Sequence, residues 1–219
     1  MFEGKYGKVL NILLVVVIVG IIGLLSYLGY DFYKKYYMEK ETKKAIDEFN
    51  DYVSNEEEQN QTEGEEVAPI MDGNLITSTT SGNKTSITYK GFNVVGKIEI
   101  PAIKLEYPVL EKTTVKSIEV AVAVLCGPGI NQIGNTVIVG HNYRNGTFFS
   151  NNKKLEVGDK IFLTDNSGSR LSYSIYNKYT TTDDDSDYIS RDTNGKREIS
   201  LSTCTDDAKT RLIIWAKED

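Results

Sequence analysis

A chain of 219 residues, 40% hydrophobic and 26% charged, has room for one ordinary globular domain plus accessories. Its formal net charge of −6 argues against nucleic-acid binding, which normally needs a basic face. The 2 cysteines, Cys126 and Cys204, and the single histidine, His141, supply neither a disulfide framework nor the usual ligand set of a closed zinc site.

The first element in chain order is an apolar run. From Val9 to Tyr30 no residue is charged. At ~1.5 Å per residue such a run reaches ~33 Å as a helix, enough to cross a hydrocarbon core of ~30 Å. A cleaved signal peptide is the rival reading. Its apolar region would be shorter and would end in a small-x-small cleavage site, whereas this run ends Ser26-Tyr27-Leu28-Gly29-Tyr30. An uncleaved single-pass anchor is therefore expected, with Tyr27, Tyr30, Tyr33, Tyr36 and Tyr37 as an aromatic belt. Lys5 and Lys8 precede the span, while Lys34, Lys35, Lys40, Lys43 and Lys44 follow it. Taken alone, that asymmetry would put the C-terminal part in the cytoplasm, but long domains translocate largely regardless of flanking charge.

Residues 31–50 alternate Lys and Glu around Tyr, Ala, Ile and Phe, which predicts a helical continuation of the anchor. Asn55 to Glu66 is acidic and residues 72–86 are rich in Gly, Ser, Thr and Asn, so both read as solvated linker. From about Phe92 onward, short β-rich segments alternate with turn signals. The segments are Val94–Ile100, Glu106–Leu110, Thr136–Gly140, Lys160–Thr164, Arg170–Tyr179, Arg197–Ser202 and Arg211–Ala216. They predict an all-β barrel or sandwich, with helix over Val115–Val124 and Phe148–Lys154. The resulting division is a tail 1–8, an anchor 9–30, a stalk and linker 31–90, and a β domain 91–219.

Three polar residues stand at the ends of β segments. His141 follows Thr136-Val137-Ile138-Val139-Gly140, Cys204 follows Glu198–Thr203, and Arg211 opens the last apolar segment. A thiol beside an imidazole and a guanidinium makes a nucleophilic site, because positive neighbours raise its thiolate fraction. Arg211 would stabilise an oxyanion in such a site. Taken singly, each residue has an ordinary reading: a locally bonded histidine, a small buried thiol, a surface charge flanking a strand. Cys126, before the turn Gly127-Pro128-Gly129, reads as a buried structural thiol, with a redox lock onto Cys204 as the alternative. The spacing of Asp183, Asp185 and Asp187 invites a calcium site. A helix-loop-helix calcium loop is excluded, because Tyr188 stands where glycine is required and Asn194 where a bidentate Glu belongs. A solvated acidic loop is the plainer expectation.

Several motifs together carry a resemblance. Gly134–His141 resembles the histidine strand of the sortases, and Leu201-Ser202-Thr203-Cys204 resembles their Leu-x-Thr-Cys signature. Arg211-Leu212-Ile213-Ile214 follows at the expected distance. Gly96–Pro101, Glu106–Leu110 and Gly158–Ile161 are similar to further family segments in the same order. The resemblance covers about residues 94–217. It implies an all-β fold, a closed eight-stranded sortase-type β-barrel with a few short helices behind an N-terminal transmembrane helix. It implies a cysteine transpeptidase, with thiol-peptidase chemistry and His141, Cys204 and Arg211 as catalytic residues. The implied substrate is a secreted surface protein with a C-terminal sorting signal of the Leu-Pro-x-Thr-Gly type. The acceptor would be an amine of a cell-wall (peptidoglycan) precursor or a pilin lysine. The domain would lie on the extracellular side of the cell membrane of a Gram-positive cell, with no cofactor. Some sortases use calcium near the loop that holds Asp183, Asp185 and Asp187, which keeps calcium as a secondary expectation.

The chain departs from the common pattern at Thr180-Thr181-Thr182, where many sortases have Pro-x-Asp, and this leaves the preferred peptide open. With no apolar span after Arg211 and no N-terminal lid motif, a single-anchor class, the D type or a close relative, is expected. Two alternatives use the same features: a sortase-like peptidase with water as acceptor, and a membrane-tethered binding module without catalysis.

Overall fold

The computed structural model describes residues 5–62 and 87–219. The chain divides into two compact units, Met1–Thr42 and Lys43–Asp219. The first holds the N-terminal part of helix α1, Lys5–Thr62. Its apolar side chains from Val9 to Leu28 are exposed, and 0% of the most apolar window is buried against protein. A helix that is apolar all round and uncovered by protein suits lipid, so this segment suggests a membrane anchor.

The second unit starts inside the segment expected to be stalk. Ala45, Phe49 and Val53 recur every four residues, which puts them on one helical face. They pack against Tyr89, Val94, Leu110, Ala121 and Ala123. A polar clamp reinforces this contact: the buried Lys97 Nζ donates to Asn50 Oδ1 at 3.1 Å and to Glu106 Oε1 at 3.2 Å. The compact unit begins at Lys43. Helix α1 also continues to Thr62, into the acidic run expected to be linker, because Glu and Gln are good helix formers. The rest of that run, and residues 72–86, lie outside the described residues.

The strands are β1 Thr88–Tyr89, β2 Phe92–Ile100, β3 Leu105–Leu110, β4 Val122–Cys126, β5 Gly134–Val139, β6 Lys160–Asp165, β7 Arg170–Thr181, β8 Arg197–Cys204 and β9 Arg211–Glu218. Their order is β1-β2-β3-β4-β5-β8-β9-β7-β6, and β2 also pairs with β6. That extra pairing closes β2 to β9 into an eight-stranded barrel and leaves the two-residue β1 outside it. Pairs β3–β4 and β5–β8 are parallel, and the others are antiparallel. The expected closed barrel is thus present.

A further element differs from the sequence expectation. Helix was expected over Val115–Val124, but α2 is only the single turn Val115–Ile118, started by a capping box between Thr114 and Ser117. Val122 then opens β4, whose first residues are fully buried between β3 and β5. β-branched valines at alternate positions suit a pleated, buried strand better than a helix. The Phe148–Lys154 segment is helical as expected, in 3-10 form.

Strand alternation decides which residues reach the surface. Ile138, Leu201 and Ile214 are register partners and are fully buried inside the barrel. Their odd-step neighbours on β5, β8 and β9 must face outward. Cys204 pairs with Arg211, and Ser202 pairs with both Val139 and Ile213. His141 lies two residues past Val139, just beyond the end of β5.

Candidate active site

The outer face of β5, β8 and β9 carries the three residues singled out in the sequence. Cys204 is the last residue of β8 and Arg211 the first of β9, and they are direct register partners. Arg211 Nη1 lies 3.4 Å from Cys204 Sγ. His141 follows on the parallel neighbour β5, whose end is tied to β8: Gly140 N donates to Ser202 O at 3.3 Å and Thr203 Oγ1 to Gly140 O at 2.7 Å. All three side chains are half-buried.

Gly140 is required where it stands. A Cβ there would lie 2.9 Å from Phe149 Cδ2 and 2.9 Å from Val122 Cγ1, closer than real contacts allow. Phe149 in turn donates its N–H to His141 O at 3.1 Å, so this close approach fixes the backbone that carries the imidazole. Gly140→Ala is expected to cost about 1–3 kcal/mol through overpacking. A lowered urea midpoint with unchanged slope would show it.

The imidazole ring packs on Tyr143, with centroids 4.9 Å apart, and Tyr143 packs on Phe148 at 5.7 Å. Burial pushes the His141 pKa down, and Arg211 adds to this while Glu119 opposes it. The neutral imidazole is therefore the main form at neutral pH. For Arg211, burial alone would lower the pKa, but the bond to Asp183 and the charge of Cys204 outweigh it and raise the pKa.

Asn142, next to the imidazole, is a residue that sequence reasoning missed. Its Nδ2 donates to Cys204 O at 3.0 Å and to Asp206 Oδ1 at 2.9 Å. Lys153 Nζ holds the other oxygen of Asp206 at 2.6 Å. These bonds join the loop after His141 to the loop after Cys204. Position offered a clue, since a polar residue directly after a candidate histidine is well placed to anchor its loop.

Below the Cys204 row, the outer face is covered by the β7–β8 loop. Tyr188 packs on Val137 and Ile213, with Cys126, Val139, Tyr179 and Trp215 around them. Arg191 plugs the lower end. It forms an ion pair with Glu198, donates to Asn135 Oδ1 at 2.9 Å and to Ile199 O at 3.1 Å, and stacks 4.7 Å over Trp215. Asn135 Nδ2 also donates to Tyr188 O at 2.8 Å. The loop is thereby bonded to the barrel wall along its second half.

The acidic residues of this loop diverge. Asp183 Oδ1 accepts from Arg211 Nε at 2.8 Å, Asp184 accepts from the Thr182 hydroxyl, and Asp185 Oδ1 accepts from Asp187 N at 2.8 Å. Among the described residues, no three His, Cys, Asp or Glu side chains are grouped to hold a metal ion.

Cys126 does not join the site. It pairs with Val137, which pairs with Ser200, four residues short of Cys204. Two strand spacings and four residues of rise separate the two thiols by roughly 16 Å, whereas a disulfide needs Cα atoms within ~7 Å. Both cysteines are free, and burial pushes the Cys126 pKa up, which suits a structural thiol.

Comparison with known proteins agrees with this fold. A family model described as a sortase domain matches residues 98–219. Sortase A of Bacillus anthracis is 35% identical over 112 residues, a stretch covering 51% of this chain and 52% of that protein. The chain thus spans about half the length of this curated relative. Among solved structures, the lid mutant of sortase A from Corynebacterium diphtheriae superposes with a TM-score of 0.53 at 26% identity, covering 57% of this chain and 70% of the other. A sortase D5 transpeptidase from Clostridium perfringens has a TM-score of 0.60 at 24% identity, covering 82% of this chain and 99% of the other, and shares the fold.

Proposed function

The chain belongs to the sortase family, and on that premise we propose that it is a cysteine transpeptidase with Cys204 as nucleophile. The observation that carries the reading is the contact of Arg211 Nη1 with Cys204 Sγ at 3.4 Å, between register partners at the ends of β8 and β9. Cys204 gives its proton to the neutral imidazole of His141, and its sulfur attacks a backbone carbonyl in a sorting signal of the Leu-Pro-x-Thr-Gly type. The carbonyl oxygen gains charge, and Arg211 donates hydrogen bonds to it. As the tetrahedral intermediate collapses, the peptide C–N bond breaks and the imidazolium of His141 gives its proton to the departing amine. An acyl thioester remains on Cys204.

A second amine then attacks the thioester. Neutral imidazole, the main form of His141 at neutral pH, takes the proton of that amine. The new amide forms, the C–S bond breaks, and the departing Cys204 sulfur takes the proton back from the imidazolium. We read the amine as belonging to a peptidoglycan precursor or a pilin lysine, and the enzyme as a single-anchor sortase of the D type or a close relative. In this reading the barrel faces the extracellular side and α1 holds it to the cell membrane.

The test is to incubate the protein with a Leu-Pro-x-Thr-Gly peptide, with and without hydroxylamine. The expected result is a peptide hydroxamate in place of the free acid, with an acyl-enzyme mass on Cys204. A free-acid product whose yield ignores the amine would instead support a peptidase. A peptide bound tightly but never cleaved would support a binding module.

A further inference from the structure

Arg211 is a long side chain, 39% exposed, and any work it does on a substrate depends on where its guanidinium points. Two edges of that planar fork are engaged. Nε donates to Asp183 Oδ1 at 2.8 Å, and Nη1 reaches Cys204 Sγ at 3.4 Å. Two bonds on different edges fix both the plane and the rotation of a guanidinium. Nη2 has no hydrogen-bond partner among the described residues.

We propose that Asp183 is a positioning residue that holds the Arg211 guanidinium against the Cys204 sulfur and leaves Nη2 for substrate. The proposal rests on the transpeptidase reading above. The barrel itself delivers Asp183 to this position. Thr181, the last residue of β7, is the register partner of Arg211, and Asp183 follows two residues later. The neighbouring carboxylates are engaged within the turn, Asp184 by Thr182 and Asp185 by the N–H of Asp187. Farther along, Arg191 and Asn135 bind the loop to the wall, so the segment carrying Asp183 is anchored at both ends. A carboxylate near a catalytic guanidinium can also act as a block. Here it takes Nε while Nη1 faces sulfur, so Nη2 keeps its hydrogens for a carbonyl. The pair faces solvent, with Asp183 68% exposed, so it contributes little to folding. Its effect belongs to orientation, where small displacements cost much rate.

The experiment compares wild type, Asp183→Ala, Asp183→Glu, Arg211→Ala and the double variant, using full-length protein in detergent. For the peptide reaction, Asp183→Ala should lower kcat about 10-fold, as loss of an orienting partner does, with KM within about twofold. Asp183→Glu should restore part of the rate, and the melting temperature should hardly move. In the Arg211→Ala background, removing Asp183 should change nothing further. A faster Asp183→Ala enzyme would make the contact a block and overturn the proposal, as would additive losses in the double variant. A second arm needs no substrate: the rate of Cys204 alkylation by iodoacetamide. Arg211→Ala should slow it several-fold, and less so when Asp183 is already Ala. If wild type cleaves no peptide yet this coupling appears, the positioning role stands and the transpeptidase reading falls. If the coupling is absent, the positioning role falls on its own.

Discussion

Cys204→Ala is expected to abolish both cleavage and transfer, while Cys126→Ala keeps most of the wild-type rate. The argument rests on where the two thiols sit. Cys204 ends β8 on the outer row, half-buried, with a guanidinium nitrogen 3.4 Å from its sulfur. Cys126 lies two strands away and lower on the wall, and burial pushes its pKa up, so it stays a thiol. No second nucleophile of comparable strength lines the row, because the next outward residues are Val139, Ser202 and Ile213, and Ser202 is buried. Removing one sulfur from a strand end leaves the barrel intact, so loss of rate would not reflect loss of fold. Chromatography of a sorting-signal peptide and intact mass of the acyl-enzyme provide the measurement. Residual cleavage by Cys204→Ala above the no-enzyme rate would mean another group attacks.

Much of this arrangement could be read from the chain before any coordinates, for a definite reason. A period of two residues puts Val137 and Val139 on one face, and Ser202 and Cys204 on one face, whatever the partners turn out to be. Polar residues ending apolar strands were therefore legible as a row. Strand β4 was not. Val115–Val124 begins with a genuine capping box, and nothing local marks where the helix stops after one turn. What makes Val122–Cys126 a strand is its parallel pairing to β3 and antiparallel pairing to β5, which are long-range contacts. The same holds for the supports of the site. Asp183 meets Arg211 across 28 residues and Arg191 meets Asn135 across 56, and composition alone made the first look like part of an acidic loop or a metal ligand. The packing of α1 on the barrel did leave a trace. Ala45, Phe49 and Val53 form a stripe at helical spacing among lysines and glutamates, and that stripe marks a buried face rather than a solvated stalk.

Arg211→Lys and Arg211→Ala are expected to lower kcat/KM by about 10² to 10³, or roughly 2.7–4 kcal/mol of transition-state stabilisation. Lysine keeps the charge, so the comparison separates charge from geometry. An ammonium is a point charge on a flexible stem and cannot bond Asp183 on one edge while facing sulfur on another. The lysine variant should therefore recover only a small part of what alanine loses. Stability should be nearly unaffected, because the Arg211–Asp183 pair is solvent-facing and such pairs contribute about 0–1 kcal/mol. How the loss divides between constants identifies what Arg211 does. A fall in kcat at constant KM means it contacts charge that develops only in the transition state. A rise in KM at constant kcat would mean it merely grips the peptide, and the oxyanion role would have to pass to backbone N–H groups near Cys204. A lysine variant as active as wild type would remove the fork geometry from the mechanism, and with it the reason for Asp183 to hold the guanidinium still.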